Sequence, residues 1–260
     1  WQFFGDESGL AILLFTIIFT LSTYIVMKIS FEEKSEHFLP VLEKLIGPML
    51  AKVYDLLIIL YLFTTTIVMI AGGGVTLQMF QIPFWAGVGL FALCTAFIFL
   101  WGLNGILSVN SYLIPILVAG LLYALISFQA AHQQPWLLNM NRQYNWPAGI
   151  AFASLNVLSV VAVLSSVGKE LKGLGEARIA SLLSGLVFGA ISFMYNETLV
   201  VLAGQLSHYE IPLFAVLEGA PFPMFMFMTA VLCVAIYTTT VTSILGLSSR
   251  FLTLVKGPRW

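Results

Sequence analysis

Seven stretches of the chain are nearly unbroken runs of apolar side chains, and the short segments between them hold almost all the charge. The runs cover about residues 9–29, 53–75, 84–102, 107–129, 147–167, 178–203 and 222–248. Each is close to the roughly twenty residues that a helix needs to cross about 30 Å of hydrocarbon. The pattern predicts an all-α integral membrane protein, a bundle of about seven transmembrane helices forming one domain over 1–260. Trp85 and Trp101 bracket the third run, and Trp136 and Trp146 precede the fifth, as interfacial aromatic anchors do.

If the runs alternate in direction, the segments after the first, third, fifth and seventh share one side. Lys28, Lys34, Lys44, Lys52, Lys169, Lys172, Arg178, Arg250, Lys256 and Arg259 fall on that side, and only Arg142 falls on the other. Cytoplasmic loops carry the excess of Lys and Arg. Trp1 is therefore expected outside the cell and Trp260 in the cytoplasm.

Composition agrees and narrows the chemistry. The 260 residues are 60% hydrophobic and 9% charged, against roughly 45–50% and about 25% in a soluble domain. A formal net charge of -1 leaves no basic surface for nucleic acid. Cys94 and Cys233 both fall inside apolar runs as small core residues, with neither a disulfide framework nor a CxxC pair. His37, His132 and His208 lie in connecting segments, and no cluster has metal-ligand spacing. No cofactor is implied. Catalysis would need a nucleophile or an acid–base pair, and the runs contain none, so an enzyme is not expected. A retinal protein would need a lysine midway along the last run, which is absent. The chain opens at Trp1 without a secretory signal pattern and is read as a piece of something longer.

Polar residues inside the runs share one depth. At 1.5 Å per residue, Thr238 of "AIYTTTVTSILGL" lies roughly 15 Å from the inner end of its run and about 24 Å from the outer end. Thr64, Thr65 and Thr66 lie about 17–20 Å from the inner end of the second run, and Asn156 about 14 Å from the outer end of the fifth. Groups of this kind need partners in hydrocarbon, and gathering them from several helices supplies partners and can line a cavity. The bland alternative is that each hydroxyl bonds the carbonyl one turn back. Asn156 has more donors and acceptors to satisfy. Glu197, about 28 Å from the inner end of run six, reads as an interfacial carboxylate, with a proton-coupling residue as the alternative. "AGGG" at 71–74 lacks the Lys and Ser/Thr of a phosphate loop and reads as close helix packing. "FTTTIVMIAG" of run two also matches "YTTTVTSILG" of run seven, as an inverted-topology repeat would leave behind.

Five stretches, "FFGDESGL", "GLNGILSVNS", "SVGKELK", "YEIPLFAVLEG" and "IYTTTVTSILGL", resemble the YkvI-type bacterial membrane proteins. These belong with the amino acid, polyamine and organocation transporters of the leucine-transporter fold. The resemblance implies ten helices in two inverted repeats, of which the seven runs are helices two to eight, with helix one and helices nine and ten missing. It implies cation-coupled uptake, by Na⁺ or H⁺, of a small organic solute such as an amino acid across the bacterial inner membrane by alternating access. Na⁺ would be held by the Ala235 carbonyl and the Thr238 and Thr239 hydroxyls. The solute would lie against Asn156, Ser154, Ser159 and Thr65. The partners expected are that solute and the lipid bilayer, with the oligomeric state open. A non-transporting nutrient sensor, like a germination-receptor subunit on the same fold, is the competing expectation.

Overall fold

A computed structural model describes residues 8–98, 102–132, 144–166, 168–202, 216 and 221–256. The described residues form seven α-helices and no strand. They are α1 (Gly9–Glu32), α2 (Phe38–Gln78), α3 (Phe84–Ile98), α4 (Gly102–His132), α5 (Trp146–Ser165), α6 (Leu174–Val201) and α7 (Phe222–Lys256). Six are long and apolar enough to cross a membrane, and α3 is a shorter apolar helix of 15 residues. The chain is a helical bundle of the integral membrane class, as its apolar runs predict. Trp1, Trp101, Trp136, Arg142, His208 and Trp260 lie outside the described residues.

Several helices exceed their runs, α2 the most. α7 continues past residue 248 to Lys256. α2 starts at Phe38 rather than at 53, because the mixed segment before the run is itself helical. His37 is extended and its Nδ1 accepts the Leu39 N–H at 3.3 Å, which caps that start. Gly47 then breaks the helix at φ 81° and ψ 163°, a region open almost only to glycine. Pro48 enforces the break by steering the residue before it away from helix. Pro48 itself costs little, since the first turn of the next segment has spare N–H groups.

The chain divides into two compact units. The first comprises 1–24, 118–157 and 178–228. Its centre is an aromatic cluster: the Phe15 ring of α1 lies 4.9 Å from Phe152 of α5 and 5.0 Å from Phe188 of α6. Lipid is as apolar as the side chains, so close van der Waals packing must hold such helices together. Glycines supply it here. Gly185 and Gly189, one turn apart on α6, sit against Thr20 and Thr16 of α1, and Gly149 of α5 sits against the Ala11 backbone. Thr16 and Thr20 can approach because each hydroxyl donates to the carbonyl four residues back, at 2.8 and 2.7 Å. At the start of α1, buried Asn196 donates to the buried Ser8 hydroxyl at 2.9 Å. Glu197 is half-buried one turn before the end of α6.

The second unit comprises 25–117, 158–177 and 229–260. α2 and α3 form an antiparallel pair whose backbones meet at Gly74 and Gly87, while Gly73 lies under the Phe91 ring. "AGGG" is thus close helix packing. α2 and α7 also run antiparallel: Asp55 meets Arg250, Leu62 meets Gly246, and Gly72 meets Ile236. Ala162 of α5 closes on Gly246 as well, 3.5 Å from where its Cβ would stand. At the end carrying the basic loops, the Ser35 hydroxyl donates to the Ser165 carbonyl at 2.8 Å. Lys44 pairs with Glu33 at 2.9 Å, and Lys169 pairs with Glu36.

Candidate functional site

α7 carries the densest group of hydroxyls. The Ala235 carbonyl accepts from Thr238 at 3.1 Å and from Thr239 at 2.8 Å, so three oxygens converge within hydrogen-bond distance. Thr242 donates to the carbonyls of Thr238 and Thr239 at 2.9 and 3.0 Å, and buried Thr240 donates to Ile236 at 2.7 Å. Every one of these is the local bond that an isolated membrane threonine makes. A hydroxyl whose proton is committed to a carbonyl still has lone pairs to offer. Thr239 is exposed and Thr238 is buried, so the pair straddles the surface of the helix. A carbonyl and two hydroxyls suit a hard cation, which takes oxygen ligands.

The α2–α7 register sets the Thr64–Thr66 run against α7. With Leu62 at Gly246 and Gly72 at Ile236, Thr65 and Thr66 fall level with Thr242 and Ser243. Thr65 is half-buried, and the Thr66 hydroxyl donates to Leu62 at 2.8 Å. Ser159 of α5 donates to the Tyr61 hydroxyl of α2 at 3.0 Å. Tyr61 and Thr65 are four residues apart and share a face of α2. The second unit therefore carries Thr65 on α2, Ser159 on α5 and Ala235, Thr238 and Thr239 on α7, with Ser159 tied to α2 through Tyr61. Asn156 and Ser154 belong to the first unit. There the Asn156 amide donates to the Phe152 carbonyl at 2.8 Å, and the exposed Ser154 hydroxyl donates to Ile150 at 2.9 Å.

Three features of this unit were not singled out from the sequence. One is Tyr61, an aromatic within an apolar run. Another is a two-pronged ion pair, Arg250 Nε to Asp55 Oδ1 at 2.9 Å and Nη2 to Oδ2 at 2.7 Å. Its side chains are only 11% and 16% exposed. Asp55 and Arg250 stand at the edges of their runs, where charges read as loop residues. The third corrects the expectation that both cysteines are core residues. Cys94 is exposed and Cys233 half-buried, and both line an apolar cavity of about 490 Å³ with Phe91, Phe97 and Tyr237. No group of three or more His, Cys, Asp or Glu side chains suited to a metal occurs among the described residues.

Comparison with known proteins assigns the chain. A family model described as spore germination protein matches residues 5–137, just over half its length. A Bacillus subtilis (strain 168) protein, "Uncharacterized protein YyaD", is 69% identical over all 260 residues and 77% of its own length. No solved structure matches. These findings overturn the YkvI-type resemblance, on which the placing of the seven helices as two to eight of a leucine-transporter fold rested. The stretches that carried it are short and built largely of small and apolar residues that any membrane helix uses. Two of them, "FFGDESGL" and "GLNGILSVNS", fall in or at the edge of the part that the germination model matches. "YEIPLFAVLEG" falls at 209–219, almost wholly outside the described residues. The family is one of permeases and receptors rather than enzymes, and by the match of its model and the identity with YyaD the chain belongs to the spore-permease family of spore germination proteins.

Proposed function

We propose that the protein is a cation-coupled permease for a small organic solute, an amino acid being the first class to test, and that its solute recognition serves germination. The observation that carries the reading is the oxygen cluster of Ala235, Thr238 and Thr239, on a helix whose next turn, at Thr242 and Ser243, is level with Thr65 and Thr66 of α2. Na⁺ is the cation its donors fit, with the two hydroxyls and the carbonyl as ligands. The solute contacts proposed are Thr65 and Ser159 in this unit; Asn156 and Ser154, which belong to the first unit, are separate candidates, and each residue is to be tested by its own substitution. The bacterial cell membrane is the proposed location, with the residue 1 end outside and the basic loops in the cytoplasm.

A ligand that binds only the folded protein raises its stability, by about 2.7 kcal/mol at a hundredfold excess over its dissociation constant. Purified protein is expected to melt at higher temperature in Na⁺ than in K⁺ at equal ionic strength, with a further rise from one of a panel of amino acids. Thr239→Ala is expected to abolish the sodium-dependent part. An equal sodium response in that variant removes Thr239 from the site.

The family's description as a germination protein favours a second reading, a sensor that binds the solute without moving it. Uptake by sealed vesicles of the solute that stabilises the protein separates the two. Stabilisation without uptake supports the sensor.

A further inference from the structure

The proposed site on α7 has a floor, and the floor has a lock. Ala235, Thr239, Thr242, Gly246 and Arg250 recur three or four residues apart, on one face of the helix. Asp55, Ile58, Leu62 and Thr66 do the same on α2. The two faces meet at Leu62 with Gly246 and at Asp55 with Arg250. From Thr239 toward the end with the basic loops, the α7 face therefore passes from hydroxyls, through an apolar plug, to a charge pair. The plug is tight: Ile58, Leu62 and Ala162 are fully buried, and a methyl on Gly246 would stand 3.1 Å from Leu62. The ion pair lies about 16 Å below Thr239 along the helix.

We propose that the Asp55–Arg250 pair is a latch that holds the inner ends of α2 and α7 together and closes the hydroxyl face of α7 to the side carrying the basic loops. The inference rests on the site proposed above. Three properties fit a latch better than a static brace. The pair is bidentate and mostly buried, so it is strong while made. Losing one partner leaves a charge in a low-dielectric setting, so partial opening is unfavourable and the two arrangements are discrete. Both charges sit at the ends of apolar spans, where separation exposes them to water rather than to lipid. The other ion pairs among the described residues have more exposed side chains and gain less by closing.

The test reads water access at Thr242, one turn above Gly246. Full-length protein with Cys94→Ala, Cys233→Ala and Thr242→Cys is reconstituted in vesicles, and a membrane-impermeant thiol reagent is added from the side of the basic loops. Asp55→Asn and Arg250→Gln are each expected to raise the labelling rate about tenfold or more, the shift that loss of one charged hydrogen-bonded pair produces. Reversing both charges, Asp55→Arg with Arg250→Asp, is expected to bring it back toward the parent rate. Equal labelling of the parent and both single variants, in protein that stays monodisperse, overturns the latch. Should those variants not fold, Arg250→Lys keeps the charge without the two-pronged grip. It is expected to raise labelling by a smaller factor, and no rise overturns the latch equally. Labelling needs no solute. A changed rate in protein that no cation or amino acid stabilises removes the solute reading and leaves the latch, and the converse result removes the latch alone.

Discussion

His37 ties the cap of α2 to the charges beside it. Burial pushes its pKa below the ordinary histidine value, and the Arg250 guanidinium pushes it the same way against Asp55, Glu36 and Glu43. The neutral ring is also what the cap requires, because Nδ1 must accept the Leu39 N–H. The unfolded chain takes up a proton near pH 6.5 while the folded chain resists until lower pH. Over that interval the unfolded state binds more protons, so this contribution to stability is complete above pH 6.5 and is lost as pH falls toward the folded value. His37→Asn keeps a capping acceptor that does not titrate. The melting temperature of the parent is expected to fall more steeply between pH 7.5 and 5.5 than that of the variant. Identical slopes would show that His37 is not the group involved. Residue identity alone could not reveal this, since a histidine in a charged loop reads as solvent-exposed until Asp55 and Arg250 are brought to it.

At the level of elements, the glycines rank the contacts. An Ala in place of a helical Gly gains roughly 0.5–1 kcal/mol in backbone terms, so a net loss measures the space the new methyl lacks. Gly89 of α3 faces open space, Gly185 of α6 meets the Thr20 side chain, and Gly149 of α5 meets the Ala11 backbone. A side chain can turn aside, although Thr20 would give up its bond to Thr16, whereas the α1 backbone can move only as a helix. Gly89→Ala is expected to be neutral or slightly stabilising and Gly185→Ala to cost about 1–3 kcal/mol. Gly149→Ala is expected to cost the most of the three. Chemical or thermal denaturation in a single detergent checks the order, and a Gly149→Ala protein as stable as the parent would mean that α1 and α5 are not in close contact. The apolar pattern locates these helices but not their glycine faces, because a Gly in a membrane run looks the same whether it meets lipid or a neighbour.

For the molecule as a whole, run length made the helices legible, since only apolar side chains can line hydrocarbon over about 30 Å. It concealed the first part of α2, where Glu43, Lys44 and Lys52 give the look of a loop to a helix broken at Gly47 and Pro48. The hydroxyls of α7 stood out in sequence because hydroxyls crowd one short stretch, but Tyr61, Asp55 and Arg250 belong to the same unit only through pairing between distant positions. Sidedness rests on charge alone, ten basic residues against Arg142, and it is the property on which the latch and the coupling direction both depend. Gln78 and Glu170 are exposed, one at the end of α2 and the other beyond α5. With Cys94 and Cys233 replaced by Ala, Gln78→Cys is expected to react with an impermeant maleimide added to intact cells, and Glu170→Cys only in inverted vesicles. The reverse pattern would turn the molecule over, placing the Asp55–Arg250 pair at the outer face and making it guard entry from outside the cell.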